Sequence, residues 1–130
     1  MDAVQFGPVP VVAVLQGAVV GGGLELASSA HIRVAEASSF YALPEGQRGL
    51  FVGGGGSARV PRLIGASRMT DMMLTSRVLD ADEGQAVGLS HYRVLTAPVW
   101  PKASSWRRRS PATPRCPTTP SCRRCRASPT

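Results

Sequence analysis

The chain has 130 residues, room for one domain of ordinary size, and a formal charge of +7 that by itself would suggest a nucleic-acid partner. That charge averages two unlike segments: residues 1–96 carry 7 Arg against 8 Asp and Glu, net −1, whereas residues 97–130 carry 8 Lys and Arg and no acid, net +8. There is no run of about 18 apolar residues for a membrane span, no basic flank that would make Val9–Val20 a secretory signal, and no disulfide framework, because all three cysteines lie in the basic segment. A cytoplasmic protein with no membrane or nucleic-acid partner is therefore expected.

Val11 to Leu15 is a β-branched apolar run and predicts a strand of the parallel kind, buried on both faces. Gln16-Gly17 ends it. Gly21-Gly22-Gly23 then opens a helix whose first residues, Leu24 to Ala27, are good helix formers. Ile32–Ala35 and Ser39–Ala42 predict two short strands separated by a turn at Glu36–Ser38, and Leu43-Pro44-Glu45-Gly46 a loop. A second glycine run, Gly53 to Gly56, leads into a helix over Ser57–Ile64 closed by Gly65. Ser67–Leu74 predicts a further helix with Met69, Met72 and Met73 in the core. Asp80 to Glu83 has the spacing of a capping box, Gly88 ends that helix, and Tyr92–Leu95 is a last strand. Strands alternating with short helices predict an α/β fold.

The sharpest constellation is Gly17, Gly21-Gly22-Gly23, Glu25 and Glu45. Glycines at a strand-to-helix turn let a ligand approach the backbone closely. The N–H of Gly22 or Gly23 faces outward at a helix start, where the macrodipole favours negative charge. Glu25 follows within the first turn, and Glu45 follows Pro44 in a loop able to fold back. Two carboxylates beside an oxyanion donor suit proton transfer next to a carbonyl. The same residues also admit a purely structural role, tight packing at the glycines and solvated carboxylates, and spacing alone does not choose.

Val12-Ala13-Val14-Leu15-Gln16-Gly17, Gly21-Gly22-Gly23-Leu24-Glu25-Leu26-Ala27 and Ser28-Ser29-Ala30-His31-Ile32 together resemble the signature of the enoyl-CoA hydratase/isomerase (crotonase) family. The resemblance continues through Leu43-Pro44-Glu45, the second glycine run, Pro61-Arg62-Leu63-Ile64-Gly65 and Gly88-Leu89, and spans about Pro8 to Leu95. It implies a fragment of the crotonase-type ββα spiral over residues 1–96 and an acyl-CoA thioester as substrate, coenzyme A being part of that substrate rather than a cofactor. It further implies that Gly22 donates to the thioester oxygen, that Glu25 and Glu45 handle water and its protons in hydration of a 2-enoyl-CoA, and that Gly21, Gly23, Leu43 and Pro44 line the substrate. A non-catalytic remnant that binds acyl-CoA or packs into a related oligomer is the alternative. His31 stands where the family usually has Asp, and Ser76 where glycine is common. The family's first oxyanion donor lies on a segment before the Val11–Leu15 strand for which a matching position is not expected here. Nor is a counterpart expected for the C-terminal helices that close its pocket and build its homo-oligomers.

The segment 97–130 has no hydrophobic periodicity and seven of the 11 prolines, and is expected to be disordered. Cys116, Cys122 and Cys125 supply too few ligands for zinc, so no metal is expected, and the arginine clusters are generic electrostatics. Its Arg, Pro, Ala, Ser, Thr, Cys and Trp are what a GC-rich gene yields out of frame. Read one base earlier, every Trp codon becomes Leu, Met or Val, and a synonymous coding of Ala97 to Trp106 yields the helix-forming stretch A-G-L-A-K-G-I-E-L. The second glycine run lacks the Gly-Lys-Ser/Thr of a phosphate loop and reads as a turn into a helix and one wall of an acyl pocket.

Overall fold

The computed structural model describes residues 1–95; the boundary drawn at 96 and the basic segment lie outside them. The elements in order are α1 (Asp2–Gln5), β1 (Val12–Leu15), β2 (Ala18–Val20), α2 (Gly22–Ser29), β3 (Ile32–Glu36), β4 (Phe40–Ala42), a 3-10 turn (Gly46–Arg48), α3 (Gly56–Ile64), α4 (Ala66–Thr75), β5 (Leu79–Asp80), α5 (Ala81–Val87) and β6 (Tyr92–Val94). No helix among them is long and apolar enough to cross a membrane.

The strands form two three-stranded sheets. One has the order β1-β3-β6, all parallel, and the other the order β2-β4-β5, with β5 antiparallel to β4. The chain thus alternates between sheets: β1 and β3 belong to the first, β2 and β4 to the second. Ile32–Glu36 and Phe40–Ala42 are both strands, as their sequence predicts, yet they pair with different partners rather than with each other. The bend at Gly17, φ 58°, passes the chain from β1 to β2. The short strand β2 has no counterpart in the sequence reading, because three residues beside a glycine turn carry too little periodicity to be told from a loop.

The apolar run Val12–Leu15 is a parallel strand but is not buried on both faces. Among the described residues it lies at a sheet edge with β3 as its only strand partner, and of its four residues only Leu15 is buried. The more deeply buried strand is β3, in the middle of its sheet, with Val34 and Ala35 wholly buried. The core joins Leu15, Val19, Leu24, Tyr41, Leu43, Val60, Ile64, Met69, Met72, Leu79 and Leu89, with Met73 packed partly against it.

Arg33 is buried with no carboxylate partner among the described residues. Its guanidinium donates to the Leu89 carbonyl at 2.7 Å and the Ala30 carbonyl at 2.8 Å, and burial holds its pKa below the usual arginine value. His31 and His91 are structural acceptors: Val11 N–H donates to His31 Nδ1 and Arg33 N–H to His91 Nδ1, each at 3.1 Å.

Two helix ends carry predictions. Asp80 accepts from the N–H groups of Asp82 and Glu83, and Glu83 accepts from the Asp80 N–H, so the capping box forms as its spacing implied. Asp80→Ala is expected to cost about 1 kcal/mol, read as a lower urea midpoint with unchanged slope. Ser76 ends α4 at φ 57°, the only non-glycine residue at positive φ among those described. This is the position where the resembling family commonly has glycine. A side chain there is strained by about 1 kcal/mol or more, and replacement by glycine gives part of that back to unfolded-chain entropy. Ser76→Gly is therefore expected to raise stability by about 0.5–1 kcal/mol in the same measurement.

Candidate active site

The site is set by the register of β2 on β4. Val20 lies opposite Ala42, and the next residue, Gly21, donates its N–H to the Ala42 carbonyl at 3.0 Å. Gly21 then turns with φ 55° and ψ −122°, a conformation that glycine adopts readily, and α2 begins at Gly22. The helix so starts at the glycines, two residues before the helix formers that signal it in the sequence. On the neighbouring strand, the residues after Ala42 are Leu43, Pro44 and Glu45. The parallel pairing therefore delivers Glu45 to the N-terminus of α2, although it lies 20 positions from Glu25.

The Glu45 carboxylate occupies the space that a side chain on Gly21 would need: a Cβ there would lie 2.5 Å from Glu45 Oε1. Gly22 and Gly23 have open space where a side chain would be. At the first helical position Gly22 N–H has no intrahelical acceptor, and among the described residues no backbone carbonyl outside the helix takes it. That amide is available to an incoming oxygen at the positive end of the α2 dipole.

Glu25, the fourth residue of α2, points inward and is only 4% exposed. Its carboxylate rests on the second glycine run. A Cβ on Gly56 would lie 2.7 Å from Glu25 Cγ and 2.9 Å from Oε1, and one on Gly54 would collide with Glu25 Oε2. Glu25 Oε1 and Glu45 Oε2 are both buried and have no hydrogen-bond partner among the described residues. Buried carboxylate oxygens are ordinarily engaged, which sets these two apart from the other carboxylates among the described residues.

The structure thus sets Glu45 against Gly21 and Glu25 against Gly54 and Gly56, with Gly21, Gly22, Gly23 and Glu25 in one helix start. Leu43 is fully buried in the core and Pro44 half-buried in the connection. The role of Gly54 and Gly56 as the surface under Glu25 exceeds what the sequence reading drew from them. The signal, a glycine run before a helix, was visible, but which residue it would meet was not. A separate cleft of about 150 Å³ is lined by Met72, Leu79 and Val87 with Arg68, Asp71, Arg77 and Glu83. It includes neither glutamate, and Arg77 already pairs with Asp71 at 3.6 Å and Glu83 at 3.2 Å. No group of three or more His, Cys, Asp or Glu able to hold a metal ion occurs among the described residues.

The model of the family described as enoyl-CoA hydratase/isomerase matches residues 1–112. The solved structure of a candidate enoyl-CoA hydratase from Rhodopseudomonas palustris CGA009 is 60% identical, superposes with a TM-score of 0.80, and is matched over 83% of this chain and 42% of that one. The alpha subunit of the fatty acid oxidation complex of Shewanella loihica is 49% identical over 83 residues, 62% of this chain and 12% of that protein. Human mitochondrial methylglutaconyl-CoA hydratase is 46% identical over 82 residues, 63% of this chain and 24% of that protein. The chain spans about a quarter or less of the curated relatives it matches. The α/β arrangement of residues 1–95 is that of the crotonase-type spiral, as the resemblance implied, and the chain belongs to the enoyl-CoA hydratase/isomerase family.

Proposed function

We propose that the site adds water across the 2,3-double bond of a 2-enoyl-CoA thioester. The observation that carries this reading is the pair of unengaged carboxylate oxygens, Glu25 Oε1 and Glu45 Oε2, at the glycine start of α2. Gly22 N–H takes the thioester oxygen as negative charge develops on it. One carboxylate draws the proton from water as it attacks carbon 3, and the other delivers a proton to carbon 2, so the atoms of one water are added and nothing leaves. The names of the relatives support this chemistry: one serves fatty acid oxidation and another hydrates methylglutaconyl-CoA. The presence of both glutamates favours hydration over family reactions that need only one.

The test is hydration of crotonyl-CoA by the purified chain, followed as loss of the conjugated enoyl absorbance. Turnover that disappears in Glu25→Gln and Glu45→Gln supports the reading. Saturable binding of crotonyl-CoA with no turnover overturns it in favour of a non-catalytic acyl-CoA binder.

A further inference from the structure

Arg59 is the fourth residue of α3, yet its guanidinium reaches back over the start of its own helix, the direction in which long helical side chains lean. A cation there meets the positive end of the helix dipole, so the placement requires acceptors, and it has three. Nη1 donates to the Gly54 carbonyl at 2.9 Å, Nε to Gln5 Oε1 at 2.5 Å and Nη2 to Asp2 Oδ1 at 2.7 Å. The side chain is 10% exposed. The guanidinium therefore fastens α1, through Asp2 and Gln5, to the second glycine run. A planar fork can serve three acceptors in fixed directions, which a lysine ammonium does not reproduce.

The glycine run lies between this cation and Glu25. Gly55, φ 92°, has the guanidinium where its side chain would be, whereas Gly54 and Gly56 have the Glu25 carboxylate there. The Met1 thioether also lies against Gly54: a Cβ on that residue would be 3.0 Å from Met1 Sδ as well as in collision with Glu25 Oε2. The segment tied down by Arg59 thus reaches the same spot as the acidic side chain.

We propose that Arg59 is a positioning residue for Glu25. By clamping the Gly54 peptide and α1 together it fixes the wall on which the Glu25 carboxylate rests and keeps water from its buried face. The proposal rests on the hydratase reading only for its consequence in turnover; the placement of Glu25 is a separate matter. A proton-transfer group displaced by an ångström can lose about 100-fold in rate, whereas substrate affinity, set largely elsewhere, changes little.

The experiment uses the full chain with Arg59→Ala and Arg59→Lys. Carboxyl labelling by a water-soluble carbodiimide and glycine ethyl ester is read by mass spectrometry at Glu25, with half-exposed Glu83 as the internal reference. Glu25 is expected to be protected in the wild type and labelled several-fold faster in Arg59→Ala, with Glu83 unchanged and Arg59→Lys in between. In crotonyl-CoA hydration, Arg59→Ala is expected to lower kcat by about 10- to 100-fold while KM stays within about twofold. Equal Glu25 labelling in wild type and Arg59→Ala overturns the proposal, as does faster labelling of Glu25 and Glu83 together, which reports a loosened fold. A wild-type chain without turnover overturns the hydratase reading, and the labelling still decides the role of Arg59.

Discussion

Glu25→Gln is expected to lower kcat for crotonyl-CoA hydration by about 10²- to 10⁴-fold, the range supplied by a positioned proton-transfer group, while leaving the chain folded. The substitution keeps the shape of the side chain and suits a helix as well as glutamate does. It removes no hydrogen bond from Oε1, because that atom has none among the described residues. At 4% exposure the carboxylate bears a desolvation cost that the neutral amide bears less of, so the melting temperature is expected to hold or rise. Residues acting as one unit are not additive. The double variant with Glu45→Gln is accordingly expected to be scarcely slower than the worse single variant. A stable Glu25→Gln protein with undiminished turnover would remove Glu25 from the chemistry.

The largest stability effect is expected at Tyr41. It is fully buried between the sheet and α5, so close to Gly84 that a Cβ there would lie 2.6 Å from Tyr41 Cδ2. Truncation to alanine removes a whole ring from the core and leaves a cavity that the surrounding elements fill only in part, at a cost of about 3–5 kcal/mol. Against a total stability of about 5–15 kcal/mol for a domain, that loss is expected to leave Tyr41→Ala substantially unfolded at 37 °C by circular dichroism. Tyr41→Phe separates ring from hydroxyl. The hydroxyl is buried beside an equally buried Ser90 Oγ, and among the described residues neither meets a partner in hydrogen-bond geometry. Burial raises the Tyr41 pKa above the usual tyrosine value, in keeping with a group kept neutral. Removing an unsatisfied hydroxyl costs little, so Tyr41→Phe is expected to fall within about 1 kcal/mol of the wild type. A large loss in Tyr41→Phe would show that the hydroxyl is engaged.

Several large apolar side chains are exposed among the described residues. Phe6 and Phe51 are about three-quarters exposed, and Leu74 and Leu95 nearly as much.

Local sequence determined most of the elements, because their signals are local. A β-branched run makes β1, the Asp80–Glu83 spacing makes the cap of α5, and Gly65 and Gly88 end helices at positive φ. The same locality explains the resemblance to the family: its motif surrounds one helix start, where Gly21 turns and Gly22 presents an amide. Burial was less legible. The apolar run Val12–Leu15 reads the same in the middle of a sheet as at its edge, and its exposed flank follows from a pairing made with residues 20 positions away.

The meeting of Glu45 with Gly21, and of Glu25 with Gly54 and Gly56, was decided by tertiary structure alone. Each contact joins segments separated by 24 to 31 positions in the chain, and no spacing rule reaches that far. The register of β2 on β4 brings the first about, and the packing of α3 against α2 the second. The amino acids settled which groups could do chemistry; the pairing of strands settled which of them would face one another.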